Sequence, residues 1–206
     1  MQLIALPAPR IFPEFVVCRS AQIVEPDHRL HHAAGRACAA EAIRLLTGQG
    51  PAQSIGRGPS GEPIWPPGLT GSITHTGDFV SAAVARRAAT RGVGLDAEHI
   101  ASAERAGRIA SRVASPEELS LRDESNEFAT WITLMFSIKE AAFKCLYPIA
   151  RTRFYYEALR VTTLDAAGTF EATLLIALPG FAEGYQLAGR FEIGQDRVHT
   201  GLCLPG

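Results

Sequence analysis

Lysine is nearly missing from this chain. Of the 20 basic residues among its 206, only Lys139 and Lys144 are lysines, and the other 18 are arginines. Where arginine serves as the general cation, a retained lysine marks a position that needs a compact ammonium and not a planar fork. Net charge is also nearly missing, at −1, which argues against nucleic acid or an anionic membrane as partner and leaves any anionic ligand to a local site. The four cysteines, Cys18, Cys38, Cys145 and Cys203, form no C-x-x-C pair. A zinc cluster or redox motif is therefore not indicated, and reduced, buried thiols are expected. No apolar run approaches the ~20 residues of a membrane span, and the first residues lack the basic flank of a signal peptide. These absences point to a cytoplasmic protein of one large domain or two small ones.

The pattern along the chain mixes helix and strand. Asp27 is placed to cap a helix from His28 to Leu46, stopped by Gly48. Gly50 to Gly71 is dense in glycine and proline and reads as a long loop. Strands are expected at Phe79 to Arg86 and Gly92 to Glu98. Ser115-Pro-Glu-Glu118 opens a helix with a capping box. A longer helix from Glu127 to Tyr147 carries an apolar stripe through Trp131, Leu134 or Met135, Ile138, Ala142 and Cys145, with Pro148 expected to end it. The tail reads as an antiparallel meander over Leu159 to Leu164, Gly168 to Leu178, Gly184 to Ile193 and Arg197 to Leu204. Helix followed by strands occurs in each half, which makes the fold class α+β.

Several groups of residues carry possible chemistry. In Gly92-Val-Gly-Leu-Asp96-Ala-Glu98 the two carboxylates share one side of an extended segment and can converge on a cation, or they are an ordinary polar strand end. Glu140 and Lys144, at i and i+4, share a helix face, which alone reads as a solvated salt bridge. Thr74 and His75 place a hydroxyl beside an imidazole. Ser72, His75 and Asp78 lie too close in sequence for a hydrolase triad, and no G-x-S-x-G elbow is present. Gly56-Arg-Gly-Pro-Ser-Gly61 matches G-x-G-x-x-G, but the prolines after it prevent the helix a dinucleotide site requires. That segment contributes Arg57, a loop cation. His28, His31 and His32 read as surface or packing residues, while Arg29 and Arg36, seven apart, share a face.

Taken in order, Ala34-Gly-Arg36, Gly61-Glu-Pro-Ile-Trp-Pro66, Gly71-Ser-Ile-Thr-His75, Gly92 to Glu98 and Phe136-Ser-Ile-Lys139-Glu140-Ala-Ala-Phe-Lys144 resemble the 4'-phosphopantetheinyl transferases. The likeness is to the Sfp-type group, in its enterobactin synthase component D branch, and it covers nearly the whole chain. It implies two similar α+β lobes in a pseudo-twofold arrangement, with residues 1–98 and 99–206 as the lobes. The implied reaction moves the phosphopantetheine arm of coenzyme A to a serine of an apo acyl, peptidyl or aryl carrier protein and releases adenosine 3',5'-bisphosphate.

By the same resemblance Asp96, Glu98 and Glu140 match magnesium ligands, and Glu140 also matches a general base for the carrier serine, directly or through water. Lys144 matches the lysine that contacts the phosphates and assists the leaving group. Thr74 and His75 match the pair that reads the 3'-phosphate, with Arg29, Arg36 and Arg57 as basic positions around the nucleotide. Thr74 stands where many relatives carry serine and keeps the hydroxyl. Glu62 stands where others carry lysine, with Arg57 as the cation that replaces it. A monomer is expected, and an acidic carrier face would meet Arg105, Arg108 and Arg112 or Arg151 and Arg153, unless these are ordinary solvated faces.

Overall fold

The computed structural model describes residues 1–25, 27–52, 54–122 and 127–206, and within the first helix it leaves out the side chains of His28 and Arg29. Two short strands, Leu3–Leu6 (β1) and Val17–Ile23 (β2), precede helix α1, His28–Thr47. A small hairpin follows, Gly56–Arg57 (β3) with Pro63–Ile64 (β4), and then Leu69–Thr76 (β5), Phe79–Arg86 (β6) and Thr90–His99 (β7). Helices α2, Ala103–Val113, α3, Pro116–Leu119, and α4, Phe128–Ala150, come next. The chain closes with Leu159–Leu164 (β8), Thr169–Leu174 (β9), Gln186–Ile193 (β10) and Arg197–Pro205 (β11).

The strands form two larger antiparallel sheets, ordered β1-β2-β6-β5 and β7-β11-β10-β9-β8. The first is covered by α1, whose Ala34, Cys38, Ala39, Ala42 and Ile43 are buried with Ala21, Ile23, Val80, Ala82 and Val84. Small residues on the helix allow it to lie close to the sheet: a Cβ on Gly35 would stand only 2.6 Å from Ile73 Cγ2. The second sheet is covered by α4, whose expected stripe of Trp131, Leu134, Met135, Ile138, Ala142 and Cys145 is buried with Val161, Phe170, Leu174, Val198 and Leu202. Each lobe is thus a helix laid on an antiparallel sheet, an α+β arrangement.

The strand over Phe79–Arg86 and the four-strand tail fall where hydropathy placed them. Other expectations need correction. The long loop is interrupted by the β3–β4 hairpin and ends at Leu69, where β5 begins, because Thr70, Ser72 and Thr74 alternate with residues that pack and so support a strand despite the glycines. β1, β2 and α2 carry no strong local signal and were not expected. α3 has its capping box but runs for only four residues. Pro148 does not end α4: it sits in the last turn, where its missing N–H removes one bond, and the buried Tyr147 and Ala150 keep the chain helical until Arg151 turns left-handed at φ 52°. A division after residue 98 assigns β7 to the first lobe, yet its ladder partner is β11.

Lys139 acquires a structural role. The residue is 4% exposed, and its ammonium donates to Glu118 Oε2 at 2.8 Å and to the Tyr156 carbonyl at 3.2 Å. Glu118 also accepts from the Ser115 and Val161 amides, each at 2.8 Å, so one carboxylate joins α3, α4 and β8. Burial pulls the Lys139 ammonium below its ordinary range, and the bond to Glu118 opposes that shift. Lys139→Met would leave Glu118 buried without its counter-charge, and a urea titration is expected to show a loss of about 3 kcal/mol. A loss below about 1 kcal/mol would mean that the pair contributes no more than a surface bridge.

Candidate functional site

β7 carries Gly92, Gly94, Asp96 and Glu98 at spacing two, on the one face that meets α4. The glycines set how near the helix can come. A Cβ at Gly94 would lie 2.0 Å from the Ala141 carbonyl oxygen, and one at Gly92 2.9 Å from that of Cys145. With α4 seated this closely, Ser137 and Lys144, two turns apart on one helix face, flank the strand where it changes from glycine to carboxylate. The residue types of Gly-Val-Gly-Leu-Asp-Ala-Glu are thereby explained: two positions make room and the next two face the room so made.

Asp96 is 2% exposed and is held from three sides. Lys144 Nζ donates to Oδ1 at 2.6 Å, the Thr74 hydroxyl donates to Oδ1 at 3.1 Å, and the Ser137 hydroxyl donates to Oδ2 at 2.7 Å. Thr74 Oγ1 in turn accepts from the Ala97 amide at 3.2 Å and from Lys144 Nζ at 3.2 Å. One hydroxyl proton and two lone pairs are then fully used, which a serine there would do equally well. Lys144 therefore pairs with Asp96 between α4 and β7, with Thr74 reaching both from the other sheet, and the expected bridge to Glu140 gives way to this buried, better-hydrogen-bonded partner.

Glu98 lies within Coulombic reach of Asp96, Lys144, Arg105 and Glu140, and its carboxyl is pushed up to about 7, first by burial and then by Asp96. Glu140 accepts from the Tyr156 hydroxyl at 2.8 Å, and burial with that bond pushes the phenol well up. His75, at the far end of β5, has its imidazole lowered by partial desolvation, then by His31 and Lys144. Arg36 donates to the carbonyls of Ile55 at 3.1 Å and Gly56 at 3.2 Å, so it braces the loop that presents Arg57. Burial and the nearby Arg57 lower its pKa. Arg29 belongs to α1, but its side chain lies outside the described residues.

A groove between the lobes beside this cluster is lined by Ser60, Glu62, Ser72, Lys144, Tyr147 and Arg153. A second hollow, which shares Phe143 and Arg153 with it, lies within the second lobe and is lined by Glu140, Tyr155 and Tyr156. Glu62 accepts from Arg151 Nη1 at 2.6 Å and from the Ser60 amide at 3.0 Å, so its loop is tied to the end of α4. Tyr147 donates to the Ser60 hydroxyl at 2.6 Å, a second tie between the lobes.

The family model of the 4'-phosphopantetheinyl transferase superfamily matches residues 92–198, and that of the 4'-phosphopantetheinyl transferase N-terminal domain matches residues 22–85. The chain belongs to the 4'-phosphopantetheinyl transferase superfamily. The transferase is 33% identical over 185 residues to 4'-phosphopantetheinyl transferase Svp of Streptomyces mobaraensis, covering 85% of this chain and 72% of that protein. It is 33% identical over 177 residues to 4'-phosphopantetheinyl transferase PptT of Mycobacterium tuberculosis, covering 82% and 76%. Enterobactin synthase component D of Salmonella typhi is 33% identical over 155 residues, covering 75% of this chain and 61% of that protein. Coenzyme A is the family's substrate, and its phosphopantetheine arm is transferred to apo carrier proteins.

The structure of the transferase thus brings Asp96, Glu98, Lys144 and Thr74 together, with Glu140 and His75 at the margins. Sequence reasoning passed over Ser137 and Tyr156, and it read His31 as a surface or packing residue. Ser137 had a signal, since it stands seven residues before Lys144 on the same helical face. Tyr156 had none, because only the chain reversal after α4 returns it to Glu140. Among the described residues, no three His, Cys, Asp or Glu side chains form a ready metal-binding group. The donor set nevertheless suits a hard divalent cation: it is all oxygen, and the burial and then the repulsion from Asp96 that raise Glu98 would be offset by a cation placed against it.

A carboxyl raised in the folded state holds a proton that the unfolded chain has released, so stability falls as pH rises from the ordinary carboxylate range through about 7. The melting temperature of the metal-free transferase is expected to fall across that interval, and Glu98→Gln to flatten the fall. An unchanged slope in the variant would show that another group titrates.

Proposed function

We propose that the transferase binds coenzyme A along the groove between its lobes, with the pyrophosphate beside Lys144 and the 3'-phosphate toward His75. The carrier serine then enters on the Glu140 side. The observation that carries this reading is Lys144 Nζ, held at 2.6 Å from Asp96 and 3.2 Å from Thr74 at the seam between lobes. An ammonium there presents a mobile point charge to phosphate oxygens, which the planar fork of arginine does not reproduce.

The serine oxygen forms a bond to the phosphorus that carries the pantetheine arm, and the bond from that phosphorus to the bridging oxygen breaks. Adenosine 3',5'-bisphosphate leaves with the bonding pair. Glu140 takes the serine proton, directly or through a water, while Lys144 stabilises the charge gathering on the leaving phosphate. Asp96, Glu98 and Glu140 would hold Mg2+, which when bound neutralises pyrophosphate charge and aligns the phosphates. Arg36 and Arg57 support the nucleotide end, Arg57 directly and Arg36 by fixing its loop; Arg29 is assigned there by resemblance alone.

Two lobes that meet in the turn between Arg86 and Thr90, a monomeric state and a cytoplasmic location complete the proposal. Support for the boundary comes from the two family matches, which stop at 85 and resume at 92. Support for a reducing compartment comes from four free cysteines. Likeness to enterobactin synthase component D favours carriers of siderophore assembly as acceptors.

Purified protein with Mg2+, coenzyme A and a panel of apo acyl, peptidyl and aryl carriers is expected to add one phosphopantetheine mass to at least one carrier. No mass gain on any carrier contradicts the proposal, and phosphopantetheine released without a carrier would mark a hydrolase. Glu140→Gln is expected to lower turnover by at least ~10²-fold with native-like melting, and Lys144→Ala by roughly 10²-fold. Near-normal rates in Glu140→Gln would remove Glu140 from both roles.

A further inference from the structure

One imidazole on the first turn of α1 has no part in the reaction as described. His31 is stacked on His75, with ring centroids 4.7 Å apart and planes inclined at 25°. Its Nε2 lies 2.7 Å from the Gly77 carbonyl oxygen. That oxygen can only accept, so Nε2 carries the proton. The His31 ring is therefore fixed at both ends, by α1 through its backbone and by the β5–β6 turn through Gly77.

His75, by contrast, stands at the penultimate position of β5 with an exposed side chain. An exposed imidazole must give up side-chain freedom when it binds a ligand, and a ring already held in place loses less. Stacking covers a face of the His75 ring, while the residue stays exposed, so an oxyanion can approach the ring at its edge. Two guanidiniums lie beyond it, Arg36 further along the same helix and Arg57 on β3, within Coulombic reach of each other.

We propose that His31 is a positioning residue that sets the transferase's preference for a ribose 3'-phosphate, by holding the His75 imidazole against its own ring. The inference rests on the assignment of His75 to that phosphate. It adds a residue from α1 that acts on specificity through β5 without touching the reacting atoms.

The test compares coenzyme A with 3'-dephospho-coenzyme A in wild type, His31→Ala, His31→Phe and His75→Ala. Two readings are taken: the ratio of kcat/KM values for the two substrates, and the ratio of their calorimetric dissociation constants, which needs no carrier. Each protein's value with the dephospho substrate is its own reference, so a general loss of folded protein cancels. His31→Ala is expected to lose about tenfold of the ratio, through KM and not kcat. His31→Phe keeps an aromatic plate and is expected to stay within about threefold of wild type. A His31→Ala ratio equal to wild type's overturns the inference and leaves the His75 assignment standing. A wild-type ratio near one, unchanged in His75→Ala, overturns the assignment and the inference with it.

Discussion

Between β5 and β7 there is no strand ladder, and the hydroxyls of Ser72, Thr74 and Thr76 take the place of one. Ser72 donates to the Leu95 carbonyl at 3.4 Å, while Thr74 and Thr76 accept from the Ala97 and His99 amides, each at 3.2 Å. Spacing of two on β5 meets spacing of two on β7, so the outward groups of an edge strand are satisfied by side chains. The two sheets are thereby held edge to edge in one register. Because the row uses side chains, the middle hydroxyl keeps a proton for a carboxylate, which a backbone ladder has no means to supply. Asp96 sits at that point.

The two lysines that stood out in the composition divide between stability and site. Lys139 is sealed between Glu118 and the Tyr156 carbonyl, where it ties α4 to α3 and to the segment that brings Tyr156 to Glu140. Lys144, one and a half turns further along α4, has its side chain partly open to the groove and its ammonium on Asp96. Both places admit a narrow chain ending in a small charge. A guanidinium would need in-plane acceptors that neither site offers.

Much of this was legible in residue order, though unevenly. The tail meander and α4 were readable because hydrophobic periodicity and turn residues agree there. Asp96, Glu98, Glu140 and Lys144 were readable as one set only through resemblance, since each alone has an ordinary explanation. β5 was hidden because its strand character lies in hydroxyl residues alternating with a mixed set, Leu69, Gly71, Ile73 and His75, and what stabilises it is its ladder to β6 and the neighbouring strand β7. The seam itself was not readable, because the atoms that form it are far apart in sequence and local pattern says nothing about which edges meet. Pro148 misled for a related reason: a local rule ended the helix, while packing of Tyr147 and Ala150 carried it one turn further.

At the seam, the proposed binding mode requires Lys144 to be an exchangeable partner of Asp96, one that moves to phosphate when substrate and cation arrive. Crystals of the protein grown with coenzyme A and Mn2+, with data collected at the manganese edge, test this directly. The expected result is an anomalous peak against the carboxylates of Asp96 and Glu98, with Lys144 Nζ moved from Asp96 to a pyrophosphate oxygen. Coenzyme A bound elsewhere, or bound in the groove with Lys144 still on Asp96 and no peak beside it, would contradict the account.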